Sequence, residues 1–140
     1  MIGWEYRYLP PYPKGVPKSR SYREKDQPWL NRLISSFRKI TVVVEDIWSQ
    51  LKVDQELADL GASSCSLMGS HMSSEQALDI SSLSGNTTTV ICLDKDATDK
   101  ALKLQKKYAF LFHNLVVVPI QKDLKYLNRK ELLELLGGLI

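Results

Sequence analysis

The sequence predicts an α/β domain with a central, mainly parallel, four-stranded sheet flanked by helices. Two observations point to it. Runs of strand character at Ile40–Val44, Ser64–Met68, Thr88–Leu93 and Leu115–Val118 are each followed by a segment of helical character, and alternation of strand and helix builds a parallel sheet. The ITVVV run at 40–44 is also β-branched throughout and apolar apart from Thr41. A strand of that kind is buried on both faces, as parallel strands are. The 140 residues, 44% hydrophobic and 25% charged, make one domain's worth of ordinary globular chain with enough apolar residues for a core.

In chain order, residues 1–28 form a basic, proline-rich arm. Pro10, Pro11, Pro13, Pro17 and Pro28 forbid a long helix and confine any strand to a short edge such as Tyr6–Leu9, followed by a basic loop through Lys14–Ser21. The domain proper is expected over 29–140. Apolar residues at 29, 30, 33, 34 and 37 predict about two turns of helix over Trp29–Phe37. After the first strand, Ile47, Trp48, Leu51, Leu57 and Leu60 predict an amphipathic helix stopped by Gly61, with Trp48 in the core. Ser73 and Gln76 form a capping box that starts the next helix, which runs to about Leu83. Ser84-Gly85-Asn86 is a turn. A helix over about Ala97–Phe110 aligns Ala101, Leu104, Tyr108 and Leu111, and a last helix over Arg129–Leu136 ends at Gly137-Gly138. Gly69-Ser70-His71-Met72 matches the remnant of a cleaved purification tag. Its internal position, where the alternation requires a strand-to-helix turn, marks it as native.

The net charge of +3 is unevenly spread: residues 1–40 carry nine Lys and Arg against three Asp and Glu, residues 41–140 ten against thirteen. In the arm, Arg7, Lys14, Lys18 and Arg20 are interleaved with Trp4, Tyr6, Tyr8 and Tyr12. That mixture suits a phosphate backbone and unpaired bases; a solvated arm is the equal alternative. Cys65 and Cys92 both lie in apolar strand-like runs and read as buried thiols of a reducing compartment. With no apolar leader and no run long enough to span a bilayer, the expected location is cytoplasmic, with no membrane partner.

The chemistry gathers at the carboxyl ends of the strands, where ligands of open α/β sheets bind. Asp94 and Asp96 follow the third strand, and Glu45 follows the first. Carboxylates one residue apart at a strand end suit a hard divalent cation. Asp96 as a helix N-cap and Asp94 as a turn residue is the competing reading. Lys122, Lys125 and Arg129 follow the fourth strand, where they either meet a phosphate backbone or serve capping and solubility.

Four segments in order resemble the Toprim family, the module shared by topoisomerases, DnaG-type primases and small nucleases. VVVEDIWSQLKV at 42–53 is similar to its strand ending in Glu, and SLMGSHMSSEQ at 66–76 to the segment after its second strand. VICLDKDATDKAL at 90–102 is similar to its Asp-x-Asp motif, and VVVPIQKDLKYLNRKELLELL at 116–136 to its closing strand, basic loop and helix. The resemblance covers about Tyr6 to Leu136 and is strongest to the Toprim part of phage primases; the arm resembles the segment preceding that domain. The chain departs from the family at Asp46, where Gly is usual, at Ser49, where Asp is common, at Lys95, Thr98 and Asp99 near the acidic motif, and at Leu124 in place of Pro.

The resemblance implies Mg²⁺ or Mn²⁺ held by Glu45, Asp94 and Asp96, with Glu45 also as general acid or base. It implies metal-dependent nucleotidyl or phosphoryl transfer on nucleic acid in a phage-type replication system, in the host cytoplasm if the chain is phage-encoded. Arg7, Lys14, Lys18, Arg20, Lys122 and Lys125 would contact nucleic acid. Single-stranded DNA or RNA, NTPs for a primase, and a helicase or polymerase are the implied partners. A stand-alone Toprim nuclease and a non-catalytic nucleic-acid- or protein-binding module are the alternatives. Two cysteines cannot make the zinc finger of a complete primase, and no Gly-x-x-x-x-Gly-Lys-Ser/Thr loop is present for a fused helicase.

Overall fold

A computed structural model of the chain describes residues 3–7, 9–11, 14, 15, 17, 19–23, 31, 32 and 38–140. Near the N-terminus, β1 (Gly3–Arg7) pairs antiparallel with β2 (Ser19–Arg23) in a two-stranded sheet. The sequence suggested one short strand at Tyr6–Leu9; the strand lies earlier, and its partner occupies part of the expected basic loop. The helix expected over Trp29–Phe37 falls mostly outside the described residues. Within it, Asn31–Arg32 is instead a two-residue strand, β3, antiparallel to the sheet edge.

The main sheet has the order β3-β5-β4-β6-β7. Four of its strands are parallel: β4 (Ile40–Val44), β5 (Ala62–Ser66), β6 (Thr88–Ile91) and β7 (Asn114–Val117). This is the α/β architecture with a parallel four-stranded sheet that the sequence implies. Every residue of β4 is buried, as its unbroken β-branched run requires for a central strand.

Helices cover both faces. Val42, Val44, Val90 and Cys92 pack with Val53 and Leu57 of α1 (Ile47–Leu57) and with Leu132 and Leu136 of α4 (Arg129–Leu136). On the opposite face Val43, Cys65 and Ile91 pack with Ala77 and Ile80 of α2 (Ser74–Ser84) and with Ala101, Leu104 and Tyr108 of α3 (Thr98–Tyr108). Both cysteines are buried and in no disulfide, one on each face of the sheet.

Local chemistry explains most element boundaries. Gly61, with φ +94°, ends the helical segment after α1 in the left-handed region, where glycine carries no Cβ penalty. The capping box at Ser73 and Gln76 is formed reciprocally, and Asn128 with Glu131 makes a second at α4. Two expectations fail. β5 begins at Ala62 rather than Ser64, because its polar Ser63 and Ser64 are buried; Ser64 Oγ bonds Asp54 Oδ1 at 2.7 Å and the Gln50 carbonyl at 3.0 Å. Trp48 is 52% exposed rather than in the core. α1 docks through Ser49, Gln50, Val53 and Leu57, so its larger apolar residues Trp48 and Leu51 face outward.

Met72 of the tag-like tetrapeptide is 1% exposed and belongs to the core on the α2 and α3 face. Tyr108 donates its hydroxyl proton to the Met72 carbonyl at 3.1 Å. The tetrapeptide is thus an integral turn of the fold.

Candidate functional site

In sequence order, the parallel strands lie second-first-third-fourth across the sheet. The chain leaves β4 toward β5 on one side and continues from β6 to β7 on the other, so the topology reverses between β4 and β6. Open α/β sheets bind ligands in the crevice at the carboxyl ends of the strands flanking such a reversal. Glu45 and Asp46 follow β4 there, and Asp94 stands three residues beyond the end of β6. Two of the carboxylates anticipated from the sequence, Glu45 and Asp94, therefore meet. The backbone N–H of Asp94 donates to Glu45 Oε2 at 3.3 Å.

Glu45 is half-buried, and its carbonyl is occupied by the N–H of Gly69 at 2.9 Å. Burial pushes its carboxyl pKa up; the Asp94 N–H opposes the shift, while the charges of Asp96 and Asp46 add to it. Asp94 is pushed up to about 6, first by burial and then by the charges of Glu45 and Asp123. Lys125 offsets only part of that shift. Asp96 is exposed on the turn between β6 and α3. It does not cap α3: the capping position is Ala97, with no side-chain hydrogen bond. It stays close enough to Glu45 to raise that residue's pKa.

Two further carboxylates belong to the cluster, and sequence reasoning passed over both. Asp46 is buried and caps α1, its Oδ1 accepting the N–H of Ser49 at 2.8 Å. Its Oδ2 lies 2.6 Å from Lys125 Nζ. Asp123 accepts the backbone N–H of Lys95 at 3.2 Å, which ties the loop after β7 to the loop after β6. Lys125 Nζ is 4.0 Å from Asp94 Oδ2 and 4.0 Å from Asp123 Oδ2. Burial works against its charge, but the hydrogen bond it donates to Asp46 and the charges of the three carboxylates outweigh it and raise its pKa. The only earlier hint of Asp123 was an acid within the basic loop following a strand.

The other expected contacts scatter. Lys122 sits 3.7 Å from Glu131, in an open groove of about 400 Å³ shared with Pro119, Ile120 and Leu127. Arg129 serves structure, pairing with Asp59 at 2.8 Å and donating to the Glu56 carbonyl. Lys14 is exposed in a turn. Arg20 lies opposite Tyr6 in the backbone register of the hairpin, with Arg7 opposite Ser19. Lys18 lies outside the described residues.

A hard divalent cation fits part of this donor set. Glu45 and Asp94 are neighbouring acids whose pKa values are raised first by burial and then by the charges of nearby carboxylates, strain that a dication would relieve. Asp96 does not gather with them, and among the described residues no three His, Cys, Asp or Glu side chains are grouped to hold a metal. The cation lodged among the acids is the Lys125 ammonium. Among the described residues no helix is long and apolar enough to cross a membrane. No protein-family model, curated protein or solved structure matches the chain.

Proposed function

We propose that the chain is a Toprim-like module that carries out divalent-cation-dependent phosphoryl transfer on nucleic acid, with primase-like nucleotidyl transfer as the reaction. The observation that supports this reading best is the pairing of Glu45 and Asp94, joined at 3.3 Å across the reversal point of a parallel sheet. Glu45, Asp94 and, after a turn of its exposed side chain, Asp96 would hold Mg²⁺ or Mn²⁺. Bound there, the ion would neutralise charge developing on the non-bridging oxygens. Glu45, whose pKa burial raises above the ordinary carboxylate range, is suited to hold or take a proton at its carboxylate. Asp46 and Asp123 orient Lys125 at the same strand ends, leaving one ammonium to meet a phosphate.

The second reading, a nucleic-acid-binding module without turnover, is favoured by one feature: Lys125 already neutralises the acids. Primer synthesis from NTPs on single-stranded template, with Mn²⁺ and with chelator, separates the two. The expected result is metal-dependent synthesis that Glu45→Gln lowers by about 10² or more. Metal-dependent cleavage of the template without synthesis would assign the nuclease alternative instead. Binding without either reaction would assign the non-catalytic module.

A further inference from the structure

We propose that Lys100, Lys103 and Lys107 of α3, with Phe110 just beyond it, form a track for the backbone of single-stranded nucleic acid leading away from the Glu45–Asp94 site. The choice of ligand rests on the function proposed above; the surface itself is read from α3. This helix buries Ala101, Leu104 and Tyr108 against the sheet and exposes all four of its lysines. At about 100° per residue, positions 100, 103 and 107 share one sector of the outward face, with a rise of about 10 Å from first to last. Lys106 borders the same sector.

These lysines differ from five other cations of the domain. Lys52, Lys122, Lys125, Arg129 and Lys130 each lie within 4.0 Å of a carboxylate. Among the described residues no such pair is formed by Lys100, Lys103, Lys106 or Lys107. Lys100 donates to Ser70 Oγ at 3.0 Å, and Lys107 lies 5.0 Å from the Tyr108 ring centroid. A row of cations held in no ion pair is complementary to a polyanion.

Two observations aim the row at the site and at single strands. Lys100 Nζ bonds Ser70 Oγ at 3.0 Å, and the N–H of the adjacent Gly69 bonds the Glu45 carbonyl at 2.9 Å, so the track begins beside the Glu45–Asp94 site. At its other end Phe110 is 81% exposed in the short helical turn Ala109–Leu111. An aromatic ring at the end of a lysine row offers an unpaired base a stacking surface. A duplex, whose bases are already stacked, would gain nothing from it.

The test is fluorescence anisotropy of a labelled oligothymidylate in EDTA, across a salt series. The Lys100→Gln/Lys103→Gln/Lys107→Gln triple variant should bind at least about tenfold more weakly at low salt, with the slope of log K against log salt shallower by about 2. Lys52→Gln/Lys130→Gln, which removes paired cations, should leave affinity and slope near wild type. Phe110→Ala should cost about fivefold or more with the slope unchanged. Equal binding by the triple variant overturns the track. Equal binding by Phe110→Ala, or wild-type binding to phosphatidylserine vesicles and not to the oligonucleotide, overturns the single-strand assignment. The chelator removes any metal-dependent step, so a chain that binds as expected but never turns over refutes the catalytic reading and leaves the track standing.

Discussion

Lys125 Nζ stands 2.6 Å from Asp46 Oδ2, joining the loop after the last strand to the first turn of α1 across 79 positions of sequence. The same ammonium faces Asp94 and Asp123 at 4.0 Å each. A tethered cation among carboxylates competes directly with a free one. Lys125→Met is therefore expected to tighten Mn²⁺ binding by about tenfold or more, measured calorimetrically, because the ammonium no longer has to be displaced. Without metal the variant should lose about 2 kcal/mol of stability, since the buried Asp46 carboxylate is left without its ammonium. Added Mn²⁺ should restore part of that loss. Unchanged metal affinity would show that the acids and the ion do not share a site.

Asp46 has two separable roles, and two substitutions divide them. Asp46→Asn keeps an oxygen acceptor for the Ser49 N–H and loses the charge paired with Lys125. Asp46→Ala loses both. Urea denaturation should rank Ala below Asn by about 1 kcal/mol, the usual worth of a helix N-cap. Equal stabilities would mean that the cap contributes nothing at α1.

Asp94 gives the domain a pH dependence of defined sign. Its folded pKa of about 6 lies above the ordinary carboxylate value, so the folded state holds the extra proton between about pH 4 and pH 6. Stability contributed by this group is accordingly lost as pH rises through that window. Asp94→Asn should remove the dependence, raising stability by about 1 kcal/mol at pH 8, after allowance for screening at a partly exposed site, and by almost nothing at pH 4. Thermal melts at the two pH values check this. A variant equally destabilised at both would show that Asp94 carries a structural contact instead.

Local chemistry made much of the fold legible. The β-branched run of β4, the Ser73–Gln76 capping box and the left-handed Gly61 each act within a few residues, and each appears where its pattern predicts. β5 begins two residues before its pattern implies because Ala62 and Ser63 lack strand character of their own. They are held by β4 alongside, and the adjacent Ser64 is bonded by Gln50 and Asp54 above. Trp48 lies on the outward side of α1 because the helix buries polar Ser49 and Gln50, reversing what hydrophobicity implies. At the site, Glu45 and Asp94 could be read from their strand ends. The convergence of Asp46, Asp123 and Lys125 could not, since it joins two loops, distant in sequence, brought together only by strand order.

The internal Gly69–Met72 turn supplies a test of the fold itself. Met72 is 1% exposed, packed in the core cluster with Ile80, Leu104 and Tyr108, whereas its neighbour His71 is exposed. Met72→Ala should cost about 2–4 kcal/mol through lost burial and the cavity left behind. Tyr108→Phe, which removes the hydrogen bond to the Met72 carbonyl, should cost about 1 kcal/mol. His71→Ala should stay within about 0.5 kcal/mol of wild type. Chemical denaturation of the three variants decides the matter. A turn that were merely an inserted remnant would tolerate all three alike, and the α2 and α3 face of the sheet would then need another residue to fill the space Met72 occupies.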